Sequence, residues 1–432
     1  MLGKMSNDWQ ARPLGKLARL TMGQSPDSKF YTDDDSQPPF LQGCADFGAR
    51  HPTPSIYCTR GNKIAEAGSL LCSVRAPVGR TNTADQKYVI GRGVAAIEAL
   101  LVNQDYLDYY VSFIAPALRA SSQGSTFEAI NSADLASWPI EFPASMAEQG
   151  NIAQRLKLLD ASIDRVAIAI NKNERIKVGL VQDLLRYGID GSGHVRSVDT
   201  HDFKKSPLGL VPVEWKVGNI INFASRMRQP ILTGPFGAQL GTKDFVEEGV
   251  PVLRIGNVQA GYVDQADLHF VSPRKAAQLS RYQVQAGDLL FARQGATTGR
   301  NALAGAAEQG FLINYHIIRV ATDPAKCSPT FLYAAFNSDM VQSQVEREKG
   351  KSKREGVNTA TLLGFLLPVP PFEEQERIAD VLEAHSLQTE HLKMQHKKLG
   401  ALKTGIMQDL LTGKKRVTDL LEQQDQREKI YA

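Results

Sequence analysis

Cysteine is scarce in this chain, four in 432 residues. Cys44, Cys58, Cys72 and Cys327 form no C-x-x-C pair and have no zinc-ligand spacing, which argues against a zinc module and a disulfide scaffold. They read as free thiols of a reducing cytoplasm. A run of about 18 apolar residues is missing, so no helix is expected to span a membrane. The first twenty residues carry Trp9, Arg12 and Pro13 where a secretion signal would need an apolar core. Charge of one sign is in small excess, formally +4, which allows a nucleic-acid partner without requiring one.

Catalytic signatures are missing too. An adenine methyltransferase needs Asn/Asp-Pro-Pro-aromatic, but Pro38-Pro39-Phe40 follows Gln37 and Pro370-Pro371-Phe372 follows Val369. Gly350-Lys351-Ser352 resembles the end of a phosphate-binding loop, yet Val345 holds the position of its first glycine. Asp85-Gln86-Lys87 with Pro26-Asp27 is a loose nuclease-like pairing in one half only. No HExxH or G-x-S-x-G motif occurs. The chain reads as a binder.

Hydrophobic content of 42% and charged content of 22% allow two or more domains with real cores. The sequence repeats itself once. Trp9 with Gly15-Lys16-Leu17 is answered by Trp215 with Gly218-Asn219-Ile220, and Ala67-Gly68-Ser69-Leu70-Leu71 by Ala286-Gly287-Asp288-Leu289-Leu290. From Gln149 to Leu185 a fixed offset of 226 lands on related residues: Gln149, Ile152, Ala153 and Leu156 become Gln375, Ile378, Ala379 and Leu382. Gly188 to Pro207, rich in Gly, Ser and Asp, reads as a linker between the halves.

Both repeated segments carry a heptad seam. In the first it runs Ile152, Leu156, Leu159, Ile163, Val166, Ile170, Asn173, Lys177, Leu180, Leu184; in the second, Ile378, Leu382, His385, Thr389, Leu392, His396, Leu399, Lys403, Ile406, Leu410. No proline interrupts Asn151 to Leu185, giving a helix of about 35 to 38 residues. Antiparallel pairing with Ile152 opposite Leu410 sets Ile163 on Leu399, Ile170 on Leu392 and Leu184 on Ile378. Polar positions also meet, Asn173 with Thr389 and Lys177 with His385. Leu159 with Lys403 and Val166 with His396 are mixed layers. The competing expectation is that each helix packs on its own domain.

Residues 9–145 and 208–370 look mixed α/β. Val250–Ile255, Asp288–Ala292 and Tyr315–Val320 read as strands, and Gln104–Arg119 and Ser328–Val345 as helices. Several loops combine glycine with cations or amides, the side chains suited to guanine and adenine edges. Candidate DNA contacts are Gln24, Ser25, Lys29, Arg75 and Arg80 in the first half. In the second they are Gln239, Arg254, Arg293, Gln294, Thr297, Thr298 and Arg300. Residue by residue these also fit turns with solvated charges; as a group they favour DNA. The basic run Arg347 to Arg354, with Lys351, Lys353 and Arg354, fits phosphate contacts and a solvated loop equally well.

These residues together resemble the specificity subunit of type I restriction-modification systems. The resemblance rests on Ser206–Trp215, Gly234-Pro235-Phe236-Gly237, Ala286–Phe291 and Pro368–Ala379, and covers nearly the whole chain. In the first half the Pro-Pro-x-x-Glu-Gln element is reduced to Phe142-Pro143 with Glu148-Gln149. It implies an α+β chain: two pseudo-symmetric mixed α/β target recognition domains separated by two long helices forming an antiparallel coiled coil. The expected segments are 1–145, first recognition domain; 146–190, first spacer helix; 191–207, linker; 208–371, second recognition domain; 372–416, second spacer helix; 417–432, tail. The implied partners are double-stranded DNA, two modification subunits and restriction subunits. No cofactor is expected in this chain; S-adenosylmethionine, ATP and Mg²⁺ are expected in the partner subunits. Rival readings are an enzyme with an unrecognised site, a coiled-coil scaffold, and the specificity part of another DNA-modification defence system.

Overall fold

The structure is a computed structural model describing residues 8–122, 129–351 and 356–417. It divides into two compact units, one made of residues up to Ile168 together with those from Lys393 onward, the other of Ala169–Leu392. Each unit therefore holds one α/β domain and a stretch of both long helices.

In the first unit a four-stranded antiparallel sheet has the order Ala18–Met22, Val94–Ala99, Leu70–Ser73, Thr81–Thr83. A second sheet has the order Tyr31–Thr32, Ile56–Cys58, Pro39–Leu41, Tyr88–Ile90, Ile64–Ala65, with Phe40 and Val89 paired in parallel. A two-stranded ribbon pairs Trp9–Pro13 with Pro139–Pro143. The second unit repeats this plan. Its first sheet has the order Ile231–Thr233, Ile317–Val320, Leu289–Ala292, Asn301–Leu303. Its second has the order Phe245–Val246, His269–Val271, Val250–Leu253, Leu312–Ile313, again with one parallel pair, Val252 on Leu312. The ribbon there pairs Lys216–Gly218 with Leu367–Val369.

The strands form because short apolar, β-branched or aromatic runs are covered on both faces. Leu289, Leu290, Phe291 and Ala292 are all buried, alternating between two cores: Leu289 and Phe291 pack with Phe331 and Phe336, Leu290 and Ala292 with Val252 and Ile313. Covering each large side chain contributes about 1.5–3 kcal/mol. All four cysteines are buried free thiols. Ser328–Val345, read as one helix, is two, Pro329–Phe336 and Asp339–Lys351. The first ends at Asn337, whose amide donates to Tyr333 O, and Ser338 separates it from the second.

The long helices run Met146–Tyr187 and Phe372–Leu411, with Glu148 and Glu373, Glu374 in their first turns, where the helix dipole favours carboxylates. Within the first unit Ile152 and Leu156 share a core with Leu410 and Leu411, and Lys403 Nζ meets Asp160 Oδ1 at 2.5 Å. Ile163 and Leu399 are half-buried there. Within the second unit Leu184 shares a core with Ile378 and Leu382, and Asn173 Nδ2 donates to Thr389 Oγ1 at 2.6 Å. Ile170 and Leu392 are half-buried. The rising number on one helix meeting the falling number on the other makes these local pairings antiparallel. In the layer expected to set Lys177 on His385, Lys177 Nζ donates to the neighbouring Ser386 Oγ at 3.0 Å, and the His385 carbonyl accepts from Asn173 Nδ2. A lysine reaches a hydroxyl one position along because its stem is long and its charge seeks an oxygen.

The stretch after the first helix is not a bare linker. Ile189 bridges to Val195, Phe203–Ser206 pairs with Gly209–Pro212, and Arg196 is buried against Glu374. Gly188, at φ +71°, permits this turn; a Cβ there would lie 2.6 Å from Trp215 Cζ2. Gly413 at φ +67° does the same after the second helix, 2.9 Å from Trp9 Cε2. In both units the Trp at the start of the domain packs on the Gly that ends a long helix.

Two buried glutamines tie each helix to its domain. Gln149 Nε2 donates to Pro143 O and its Oε1 accepts from Asn103 N; Gln375 Nε2 donates to Pro370 O and its Oε1 accepts from Ser328 N. The backbone groups at the start of the following or preceding helix are thereby satisfied.

Candidate nucleic-acid interface

The strand that closes each domain reaches it through a three-residue corner. In the second unit this corner is Asn314-Tyr315-His316, between Leu312–Ile313 and Ile317–Val320. Arg293, just past the strand Leu289–Ala292, binds it by its backbone, Arg293 N donating to His316 O at 3.0 Å, while Val357 N donates to Arg293 O at 2.8 Å. The Arg293 guanidinium donates from Nε to Val357 O at 3.3 Å and from Nη1 to Tyr315 O at 3.2 Å. Partial burial holds its pKa below the ordinary value, but the group stays charged. Arg293 therefore staples three segments. Beside it, His316 Nδ1 and Gln294 Oε1 are 2.8 Å apart. The Tyr315 ring lies on His316 at 3.7 Å between centroids and near Phe236 at 5.9 Å. Phe236 is 59% exposed and Tyr315 38%. Arg300 is exposed, with Nη1 donating to Gln259 Oε1 at 3.1 Å. Gln239 is exposed, its Oε1 accepting from the Tyr282 hydroxyl at 2.9 Å.

The first unit builds the same platform from other side chains. Its corner is Gly91-Arg92-Gly93, and Val74 N donates to Gly93 O at 3.0 Å, the counterpart of the Arg293 bond. Arg75 then stands where Gln294 stands; it bridges to Ala129 as Gln294 bridges to Gly356. Arg80 matches Arg300: Gly79 N donates to Ser73 O and Gly299 N to Ala292 O in equivalent turns. Arg75, Arg80, Arg92 and Gln24 are exposed. Ser25 Oγ accepts from Arg92 N at 3.3 Å, which brings Ser25 and Arg92 together. Arg80 Nη1 donates to Cys44 O at 3.4 Å.

Four candidates have bonding partners within the protein. Thr298 is 3% exposed and its hydroxyl donates to Gly295 O at 2.8 Å, so a tight turn uses it. Thr297 donates to Gln294 O in the same turn. Arg254 donates from Nη2 to Asp267 O at 3.0 Å and is half-buried. Lys29 pairs with Asp27 at 2.9 Å and lies over the Phe30 ring. Lys353 and Arg354 lie outside the described residues, and of Lys351 only its place at the end of the helix Asp339–Lys351 is described. Sequence reasoning passed over Tyr315, His316 and Arg92, and took Phe236 only as part of the Gly234-Pro235-Phe236-Gly237 loop. Tyr315 and His316 were absorbed into a strand that begins at Ile317. The glycines on either side of Arg92 were the available signal for a tight, exposed corner.

The profile of the type I restriction modification DNA specificity domain matches residues 6–177 and again residues 239–399. The chain belongs to that family. Specificity-family relatives include the provisionally named type I restriction enzyme MjaX specificity subunit of Methanocaldococcus jannaschii. It is 38% identical over 180 residues, 41% of this chain and 41% of that protein. The MjaVIII specificity subunit of the same organism is 22% identical over 318 residues, 73% of this chain and 71% of that protein. The EcoKI specificity subunit of Escherichia coli K12 is 25% identical over 243 residues, covering 55% and 48%. The chain thus spans well under half the length of the MjaX relative. The fold is similar to that of the type I S subunit from M. genitalium, with TM-score 0.55 and 15% identity over 94% of this chain and 96% of that one. It is also similar to a chain from a structure of type I R-M complex assembly and conformational transition, with TM-score 0.58 and 14% identity over 95% and 99%. For a specificity-family chain, the two matched segments each include one corner-and-loop platform or its flanking loops and part of the long helices. Among the described residues no helix is long and apolar enough to cross a membrane.

Proposed function

We propose that this chain is the DNA sequence-specificity subunit of a type I restriction-modification complex. It binds a two-part site in double-stranded DNA and directs adenine methylation or restriction by partner subunits. One observation carries the reading: two domains of one plan present equivalent, partly or fully exposed positions with different side chains. Arg75 and Arg92 occupy in one domain the places of Gln294 and Tyr315 in the other. One scaffold with two sets of reading groups suits two different half-sites.

Catalysis then belongs to the partners, with S-adenosylmethionine in two modification subunits and ATP and Mg²⁺ in the restriction subunits, all in the cytoplasm. The long helices are the docking elements for the modification subunits. Each carries apolar residues that its own unit leaves exposed: Leu158 and Met394 in the first unit, Val178 and Leu387 in the second. The test is methylome sequencing of cells carrying this chain with its partners, beside DNA binding of the reconstituted complex across salt concentrations. A split motif and a steep fall of affinity with salt are expected. Unchanged methylation with and without this chain, or methyl transfer or DNA cleavage by the purified chain alone, refutes the assignment.

A further inference from the structure

We propose that Gln294 and His316 act as one specificity-determining unit, in which His316 holds the amide of Gln294 so that Gln294 offers DNA only hydrogen-bond donors. The inference rests on the reading of the second domain as a DNA-recognition domain.

A carbonyl oxygen only accepts, so the 2.8 Å contact requires His316 Nδ1–H to donate to Gln294 Oε1. Burial, and then the nearby Arg293 charge, lower the His316 pKa, so the ring is neutral near pH 7 with Nε2 unprotonated. The ring cannot readily turn away. His316 N donates to Asn314 Oδ1 at 3.1 Å, His316 O accepts from Arg293 N, and the Tyr315 ring lies against the imidazole. Gln294 is anchored in turn by its backbone bridge to Gly356.

A free glutamine recognises adenine by using its oxygen and nitrogen together, on N6 and N7. At Gln294 the oxygen faces into the loop toward His316. Among the described residues the protein supplies no partner for Gln294 Nε2, so the two N–H groups are the part left to meet a base. They fit acceptors in the major groove, O6 and N7 of guanine or O4 of thymine. The side chain thus resembles a lysine or arginine in what it offers, which matches the first domain, where Arg75 holds the equivalent place.

The test reads the methylated motif in cells carrying the complete complex with wild-type chain, Gln294→Ala, Gln294→Lys or His316→Phe. The phenylalanine keeps the ring against Tyr315 but cannot donate to Oε1. Gln294→Ala is expected to lower discrimination by about 5- to 150-fold at one base pair of one half-site. Gln294→Lys, donor-only, is expected to keep the wild-type preference there. His316→Phe is expected to shift that same base pair toward adenine while the other half-site and the thermal midpoint hold. The inference is overturned if His316→Phe reads like wild type, if Gln294→Lys loses as much as Gln294→Ala, or if either variant relaxes both half-sites. A wild-type complex that methylates no split motif instead overturns the functional reading beneath it.

Discussion

Removing Glu374 should strongly damage the second unit. It is 2% exposed and accepts four hydrogen bonds: two from Arg196, one from Trp215 Nε1 at 3.0 Å and one from Ile189 N at 2.9 Å. Arg196 is only 9% exposed. Glu374→Ala leaves the guanidinium with only the Tyr187 carbonyl, at 3.5 Å, and an indole N–H and a backbone N–H without an acceptor in a site water hardly reaches. Removing one partner of a buried ion pair costs about 3–5 kcal/mol, mostly the penalty of the charge left behind. For a unit of this size that lowers Tm by about 6 to 20 °C. Glu148 gives the internal comparison. It accepts from Arg416 Nε at 3.1 Å and Nη2 at 2.7 Å, but Arg416 is 29% exposed and also reaches Asp8, and among the described residues the Trp9 Nε1 has no acceptor. After Glu148→Ala the arginine can turn to water, so the cost should be about 1–2 kcal/mol. Urea unfolding followed by hydrogen exchange, read separately for amides of residues 169–392 and of the other unit, measures both. The double variant Glu374→Ala, Arg196→Ala should cost clearly less than the two single variants summed. A Glu374→Ala cost below about 1 kcal/mol, or one no larger than that of Glu148→Ala, would refute the reasoning.

Three further outcomes are expected. Asn173→Ala should destabilise the second unit by about 1–3 kcal/mol because it opens a gap at a packed layer and removes the donor to the buried Thr389 hydroxyl, which keeps only its bond to His385 O, whereas Asn173→Leu with Thr389→Val should be near neutral; chemical denaturation compares them. Burial raises the pKa of Asp108 from 3.8 to about 7, only partly opposed by the Gln104 amide, so its neutral form is the one the fold favours; stability of the first unit should fall as pH rises across that range, and Asp108→Asn should flatten the slope in melts against pH. Arg300→Ala should leave Tm within about 0.5 kcal/mol equivalent of wild type but reduce the salt dependence of DNA binding by about one phosphate, seen as the slope of log affinity against log salt.

The coiled-coil seam was legible because the spacing of apolar side chains is a local property: Leu156 and Leu184 repeat at helical intervals whatever they meet. The duplication was legible for the same reason. The roles of Glu148 and Glu374 were not, although each stands one position before the repeated segment. Their partners lie 268 and 178 positions away in sequence, and Arg196 sat in a stretch whose composition says linker. Composition reports what a segment is made of, and a buried acceptor elsewhere in the fold decides whether one of its arginines is drawn in. The loops were legible by residue type alone. Arg293 and Thr298 have the chemical types that contact DNA, but main-chain carbonyls of Val357, Tyr315 and Gly295 engage their donors first. Side-chain type sets which bonds are available; only the fold shows which remain.

Under the proposed function, that distinction explains how one scaffold can carry two different sets of reading groups. The platform is held by backbone hydrogen bonds, Val74 N to Gly93 O in one domain and Arg293 N to His316 O in the other. Backbone bonds do not depend on which side chain a residue carries. The positions that follow, Arg75 and Gln294, and the corner tips, Arg92 and Tyr315, are partly or fully exposed, where substitutions away from special features change stability by about 0.5 kcal/mol or less. Changing such a tip alters what is offered to a base edge, where a good contact is worth about 1–3 kcal/mol of discrimination. The effect on recognition therefore exceeds the effect on folding severalfold at these positions. At Glu374 or Arg319 the ratio is inverted. Arg319, 2% exposed, donates to the carbonyls of Gln283 and Gln229 and lies beside buried Asp288, so changing it would harm the fold before it altered any contact with DNA. Specificity can vary where the two domains differ because stability is secured one residue away, in the main chain.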